Sequence, residues 1–84
     1  MIPDDTLDAR DLLCPLPVLK ARKRLQTMHA GQVLRVLATD PAAVIDMPHF
    51  CAQTGHVYLG ATELEGATAH LIRCGEATPC FMAS

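Results

Sequence analysis

The chain has 84 residues, half of them hydrophobic, and carries a formal net charge of −2. This length predicts one small domain spanning residues 1–84, and the hydrophobic fraction is sufficient for a core without disulfides. Aromatic residues make up only 4% of the chain and Trp is absent, so the core is expected to be aliphatic. The negative net charge argues against general binding to nucleic acid or to anionic membranes.

The N-terminal segment MIPDDTLDAR has neither the basic region nor the apolar region of a signal peptide. No apolar run approaches the roughly 20 residues of a membrane span. We therefore expect a soluble, cytoplasmic protein that is a monomer in solution. Reduced thiols are expected in that compartment, and the four cysteines form no C-x-x-C pair, so we expect no metal site.

The first half of the chain predicts a strand, a helix and a second strand. Residues 6–10 (TLDAR) predict the first strand, and residues 32–38 (QVLRVLA) predict a second strand that is largely covered. Between them, residues 15–28 predict a helix that ends near Gly31. Its apolar residues recur three or four positions apart, as on one helix face: Val18, Ala21, Leu25 and Met28.

The second half predicts another helix and a β-hairpin. Asp40-Pro41 is typical of a helix start, with the carboxylate as N-cap. Pro48 does not fit a helix interior, so we expect a broken or restarted helix over residues 42–54, with Asp46 as a candidate cap of its second segment. Residues 56–64 and 67–73 predict two strands joined by a turn at Glu65-Gly66.

The predicted fold is therefore α/β: a two-layer α/β sandwich in the order βαβαββ. A four-stranded mixed sheet carries both helices on one face. The domain core is expected at about residues 6–73, followed by an irregular tail at 74–84. A chain truncated after Arg73 is expected to fold.

The motif around Cys14 is the strongest functional signal. Cys14 is followed by Pro15 and Pro17 directly before the first predicted helix, so its sulfur is expected near the positive end of the helix dipole. Four basic residues follow within ten positions: Lys20, Arg22, Lys23 and Arg24. Both features favour the thiolate, so we expect the pKa of Cys14 to lie below the ordinary value of about 8.5.

The remaining cysteines have less specific surroundings. A free cysteine is often simply a small buried apolar residue, and this interpretation suits Cys51, which lies among apolar residues of the second helix. Cys74 and Cys80 fall in the predicted tail and are expected to be accessory thiols. None of the four histidines is adjacent to Cys14, so no nucleophilic triad is visible. A reactive thiol in a chain with little room for a substrate pocket suits a carrier of a chemical group.

These residues resemble the TusA/SirA-like sulfur carriers. The resemblance covers residues 6 to about 73 and rests on four segments: LDARDLLCPLP (7–17), the basic helix LKARKRL behind it, ATDPAAVIDMPHFC (38–51) and HLIR (70–73). It implies the same βαβαββ sandwich and a persulfide on the cysteine of the C-P-x-P motif, here Cys14, with Pro15 and Pro17 in support. The family usually has glycine three residues before this cysteine, where this chain has Asp11. If the position needs a positive φ, Asp is less suitable than Gly.

The resemblance also implies partners. Such carriers accept sulfane sulfur from a cysteine desulfurase or a rhodanese-like donor and pass it to an acceptor protein, towards tRNA thiolation, molybdenum-cofactor metabolism or sulfur oxidation. The chain would then be a sulfurtransferase-type carrier rather than a classical enzyme, with no cofactor besides the covalent persulfide sulfur.

Two further functions stay open from the residues alone. A thiol redox or regulatory module would form disulfides through Cys14 instead of carrying sulfur. A small RNA-binding module is possible for this fold, although the chain is acidic and has no aromatic stacking platform. The basic residues of the first helix are either a solvated face or a docking surface for an acidic partner.

Overall fold

The computed structural model describes residues 2–75, and the fold has the predicted order of elements. The chain forms β1 (Asp5–Ala9), α1 (Leu16–Leu25), β2 (Val33–Ala38), α2 (Ala43–Thr54), β3 (Val57–Leu64) and β4 (Ala67–Arg73). Within the described range, no helix is both long enough and apolar enough to cross a membrane. The predicted α/β class is confirmed: two helices accompany a four-stranded mixed sheet.

The sheet has the strand order β1-β2-β4-β3, with β1 and β2 parallel and the other neighbours antiparallel. The register aligns Leu7 with Val36 and Val36 with His70, so these side chains share one face of the sheet. Both helices lie on this face, because their buried residues join the same core cluster as the strand residues. Since β1 and β2 are parallel, their carboxyl ends meet at one edge of the sheet. Residues 10–15, which we call the Cys14 loop, connect β1 to α1 at this edge.

The core is aliphatic, as the composition predicts. It combines alternate residues of the strands with one face of each helix, and its largest fully buried apolar side chains are Leu25, Leu34, Met47, Ile72 and Val36. Alternation along β2 places Leu34, Val36 and Ala38 in the core, while Arg35 lies on the opposite face. Burial of the two helix faces against the sheet is what holds the loops at the sheet edge in place.

Helix α1 is shorter than predicted. Instead of continuing to Met28, it ends at Leu25, where the next backbone N–H groups turn back to carbonyls three residues earlier: Thr27 bonds Arg24 and Met28 bonds Leu25. Such tight terminal turns are common at helix ends. Gly31, with φ +91°, belongs to the turn before β2 instead of capping the helix.

The predicted break in the second helix is wrong, because α2 continues through Pro48 as one helix. Proline removes a single backbone hydrogen bond, to the carbonyl four residues earlier, at a cost of about 3 kcal/mol. Burial of Met47 and Phe50 on the same helix, worth roughly 1.5–3 kcal/mol each, is large enough to offset that cost. Gly55, with φ +83°, ends the helix as predicted.

The hairpin prediction is confirmed. Strand β4 has the predicted limits, and both turn residues, Glu65 and Gly66, have positive φ (50° and 82°). Two consecutive positive φ values are the mark of a type I′ turn, which matches the twist of the flanking strands.

The predicted boundary of the tail is wrong at its first residue, because Cys74 is buried in the core. Its N–H donates to the Gln32 carbonyl at 2.7 Å, and its own carbonyl accepts from the Gly31 N–H at 2.8 Å. These bonds extend the pairing between β4 and β2 by one residue beyond Arg73. Cys80 and the rest of the predicted tail lie outside the described residues.

Candidate functional site

The Cys14 loop connects the end of β1 to α1 at the carboxyl edge of the parallel strands. Asp11 adopts φ +67°, and its N–H donates to the Thr39 hydroxyl at 2.9 Å. The position therefore needs the left-handed conformation that glycine favours. This explains why glycine is the usual residue of the family at this position. This bond ties the loop to the residue after β2.

The two prolines of the motif have different places. Pro15 follows a cis peptide bond from Cys14 and is the N-cap residue of α1, so Cys14 precedes the helix by two residues instead of capping it. Pro17 is fully buried in the second position of the helix. Its missing N–H costs nothing there, because the first N–H groups of a helix have no intrahelical partner. The prolines thus fix the direction in which the chain enters α1.

Asp40 holds the Cys14 backbone against the start of α2. One of its carboxylate oxygens accepts the Cys14 N–H, and the other accepts the Ala42 N–H at 3.0 Å. The prediction of Asp40 as the N-cap is wrong, because α2 begins at Ala43 with Ala42 as its N-cap and no side-chain cap. The Asp40 carboxylate instead binds the turn before the helix and fixes the cysteine. Cys14 itself is exposed.

The Cys14 thiol donates a hydrogen bond to the Asp46 carboxylate, with 2.9 Å between Sγ and Oδ2. This bond, followed by desolvation and by the charges of Asp46 and Asp40, raises the pKa of Cys14. The expectation of a lowered pKa is therefore wrong. The physical reason is that a carboxylate in direct contact stabilises the S–H form, whereas the helix dipole and the α1 cations act from farther away.

The four basic residues of α1 do not form one uniform cluster. Lys20, Arg22 and Lys23 are exposed, whereas Arg24 forms a 2.7 Å ion pair with Asp5. Lys20 also lines a depression of about 470 Å³ beside the Cys14 loop. The other lining residues are Asp8, Arg10, Asp11, Leu12 and Thr39. Three of the four predicted docking residues are thus exposed, and Arg24 is paired within the domain.

Four exposed apolar residues lie within two positions of Cys14 or Asp46 in the chain, and together they are called the apolar rim. It consists of Leu13, Leu16, Val44 and Ile45, whose exposed fractions are 71%, 45%, 51% and 74%. Leu13 and Leu16 flank the Cys14-Pro15 pair, and Val44 and Ile45 directly precede Asp46 in α2. Sequence reasoning missed this rim. Exposed apolar side chains around a functional group are typical of protein interaction sites.

The other described cysteines are buried. Cys51 is 1% exposed and desolvation raises its pKa to about 11, so its predicted structural role is confirmed. Cys74 is 4% exposed and burial also raises its pKa, which contradicts the prediction of an accessory thiol in a tail. Among residues 2–75, no three His, Cys, Asp or Glu side chains are grouped so that they could hold a metal ion.

Sequence reasoning also missed the role of Asp46, which was considered only as a helix cap. The available signal was the segment ATDPAAVIDMPHFC (38–51), which contains both Asp40 and Asp46 and is one of the segments of the family resemblance. None of the hydrogen bonds formed by the described histidines involves Cys14; its side-chain partner is a carboxylate.

Comparisons with known proteins show the family of this chain. A family model described as sulfurtransferase TusA matches residues 5–74. The sulfur carrier protein TusA of Allochromatium vinosum is 48% identical over 69 residues, which are 82% of this chain and 90% of the relative. TusA of Pseudomonas entomophila is 45% identical over 73 residues, 87% of this chain and 91% of the relative.

A solved structure has the same fold. The crystal structure of a SirA-like protein from Desulfitobacterium hafniense superposes with a TM-score of 0.73 at 28% identity. The match covers 86% of this chain and 99% of the other.

Proposed function

The chain belongs to the TusA sulfurtransferase family and is a sulfur carrier, and we propose that it holds the sulfur as a persulfide on Cys14. A carrier of this kind works between a protein that donates sulfur and a protein that accepts it. The observation that carries the proposal is the placement of Cys14. It is exposed and fixed between the starts of two helices, whereas Cys51 and Cys74 are buried.

The reaction needs only a thiol and a donor persulfide. The Cys14 sulfur attacks the terminal sulfur of a donor R–S–SH, the donor S–S bond breaks, and the electron pair leaves on R–S⁻, which takes up a proton. The balance is Cys14–SH + R–S–SH → Cys14–S–SH + R–SH, with no external oxidant or reductant. Delivery repeats the exchange with the acceptor protein's thiol, so no cofactor besides the covalent sulfur is required.

Two features support docking of other proteins at this site. The apolar rim supplies exposed hydrophobic side chains next to Cys14 and Asp46 in the chain, and the exposed cations Lys20, Arg22 and Lys23 lie on α1. A donor with an acidic surface beside its active cysteine would complement these cations. We propose a cysteine desulfurase or a rhodanese-like protein as donor, and a setting in the cytoplasm where the thiols stay reduced.

The test is to incubate the protein with a cysteine desulfurase and free cysteine, and to map its peptides by mass. One added sulfur is expected on the Cys14 peptide. The variant Cys14→Ser should fold with unchanged stability and lose both the adduct and the transfer to an acceptor. The matched control Cys51→Ala should keep the adduct, since Cys51 is buried.

Three results would contradict the proposal. Sulfur that remains in Cys14→Ser would assign the role to another cysteine. A wild-type protein that never acquires the adduct from a competent donor would not be a persulfide carrier. Formation of a Cys14 disulfide without persulfide would instead support a thiol redox module.

A further inference from the structure

We propose that Asp46 holds the Cys14 thiol protonated in the free carrier, and that a partner protein releases it by presenting a basic side chain to the Asp46 carboxylate. The proposal rests on the proposed function, since it concerns how the same sulfur becomes reactive. Asp46 is a positioning residue in this scheme: it acts through Cys14 and does not touch the transferred sulfur.

The first step is the direction of the hydrogen bond. A carboxylate can only accept, so the 2.9 Å contact between Cys14 Sγ and Asp46 Oδ2 requires the proton to be present. If the thiol ionised, two negative groups would lie in contact. The structure therefore favours the unreactive form of the thiol, because the thiolate is the nucleophile.

The second step is that a carboxylate is a poor base for this purpose. An ordinary carboxylic acid is more acidic than an ordinary thiol by roughly four to five pKa units, so transfer of the proton to the carboxylate is strongly unfavourable. The bond therefore keeps the thiol protonated and does not act in general-base catalysis. We call this hydrogen bond the lock. Something must weaken the negative field of the carboxylate before the thiolate can form.

The third step is that the described part of the chain supplies no cation for this task. Its ion pairs join Arg10 to Asp8 and Arg24 to Asp5, and neither involves Asp40 or Asp46. Within residues 2–75, neither of the two carboxylates near the thiol therefore has an ion-pair partner. A basic side chain from a docked protein is the complementary group, and the apolar rim, which includes Leu13 and Ile45, gives such a protein a surface to bind.

When a lysine or arginine of the partner pairs with Asp46, the carboxylate loses its hold on the thiol proton, which leaves to solvent. The Cys14 thiolate then attacks the terminal sulfur of the partner's R–S–SH, and R–S⁻ takes up a proton from solvent. The net reaction is unchanged. The lock limits sulfur acceptance to proteins that carry the cation, so small persulfides and oxidants meet a protonated thiol.

The first experiment measures alkylation of Cys14 in the free protein. Wild type, Asp46→Asn and Asp40→Asn are treated with iodoacetamide across pH 6 to 10, and the Cys14 peptide is quantified by mass. We expect Asp46→Asn to alkylate roughly three- to tenfold faster at pH 7.5, with its pH profile moved to lower pH. Asp40→Asn removes a nearby charge and one of the two backbone bonds of Asp40 but no contact to the sulfur, so it should move the pH profile less than Asp46→Asn. Asp46→Glu should restore slow alkylation at least in part.

A purely structural role for Asp46 would change the unfolding midpoint without moving the pH profile. Equal profiles for wild type and Asp46→Asn would overturn the proposal. This readout needs no sulfur donor, so it can fail or succeed independently of the persulfide test of the proposed function.

The second experiment compares a small donor with a protein donor. With glutathione hydropersulfide at pH 7.5, Asp46→Asn should acquire sulfur faster than wild type, because the lock is absent. With a cysteine desulfurase and free cysteine, the variant should be no faster than wild type, because the desulfurase releases the lock itself and the variant has lost the ion pair. An equal acceleration with both donors would contradict release by a partner cation.

Discussion

The Cys14 thiol lies 2.9 Å from the Asp46 carboxylate, although 32 residues separate them in the chain. This contact decides the chemical state of the site. A helix start and nearby cations favour a thiolate, but a carboxylate in hydrogen-bond contact favours the thiol, and the direct contact dominates the pKa of Cys14. The contact therefore favours the protonated thiol in the free carrier.

Charge reversal on α1 tests the docking surface. The double variant Arg22→Glu, Lys23→Glu should bind the sulfur donor more weakly, and its remaining affinity should depend less on salt, because two attractive charges are lost. Binding can be measured by isothermal titration at two ionic strengths. Arg73→Glu is the matched control: it is equally exposed, but it lies at the opposite edge of the sheet from Cys14. Equal affinities of the double variant and wild type at low salt would identify these residues as a solvated face.

The left-handed residue of the Cys14 loop offers a stability test. Asp11 has φ +67° and its backbone N–H is bonded to Thr39, a bond that every substitution but proline retains. Asp11→Gly should be more stable than Asp11→Ala by about 1 kcal/mol, because a Cβ is unfavourable in this conformation and glycine has none. Urea unfolding of the three proteins gives the comparison. Identical midpoints for the Gly and Ala variants would contradict strain at this position.

Gly75 should tolerate no side chain. A Cβ at this position would overlap the carbonyl oxygen of Gly55, which is backbone and cannot rotate away. The Gly75 N–H also donates to His56 Nδ1 at 2.9 Å. We expect Gly75→Ala to lower the free energy of unfolding by about 1–3 kcal/mol, measured by urea denaturation. The exposed substitution Gln53→Ala should change it by less than about 0.5 kcal/mol.

Truncation tests the position of the domain boundary. A chain that ends at Arg73 loses the buried Cys74 thiol and the two backbone bonds that Cys74 makes with Gly31 and Gln32. It should be less stable than a chain that ends at Gly75 by about 2–4 kcal/mol. Thermal unfolding of the two truncated chains measures the difference. Equal midpoints would mean that Cys74 contributes nothing to the fold.

Buried histidine makes stability depend on acid. Burial lowers the pKa of His70, which is fully buried, and of His56, which is partly buried. Below about pH 6.5 the unfolded chain takes up protons that the folded chain does not, so stability should fall as the pH falls below 6.5. The slope is at most about 1.4 kcal/mol per pH unit for each histidine. The loss of unfolding free energy between pH 7.5 and 5.5, measured by urea denaturation, should be smaller in His70→Gln than in wild type. The variant His29→Gln, at an exposed position, should lose as much as wild type.

At alkaline pH the buried Cys51 thiol should lower the free energy of unfolding. Burial raises the pKa of Cys51 to about 11 in the folded protein. As the pH rises from 9 to 11, the unfolded chain ionises this thiol and the folded chain does not, so stability should decline by up to about 3 kcal/mol. Cys51→Ala should remove that part of the decline. An identical alkaline decline in both proteins would assign it to other groups.

Local patterns in the sequence determined most of the fold. Strand β4 has its predicted limits, and Glu65-Gly66 specified the turn before it, because a tight turn depends on neighbouring residues alone. The C-P-x-P motif placed Cys14 next to a helix start for the same reason. Gly55 ends α2 because this residue adopts the left-handed backbone conformation.

The tertiary structure decided the features that depend on residues distant in the chain. Asp46 reaches Cys14 only because the sheet brings the starts of α1 and α2 together, and Cys74 is buried only because the end of β4 pairs with the turn before β2. Pro48 stays inside α2 because burial of its neighbours exceeds the cost of one lost hydrogen bond. Local propensity contains none of these long-range energies, so the sequence pointed to Cys14 as the candidate sulfur carrier, whereas the packing of the two helices decided that its thiol contacts the Asp46 carboxylate.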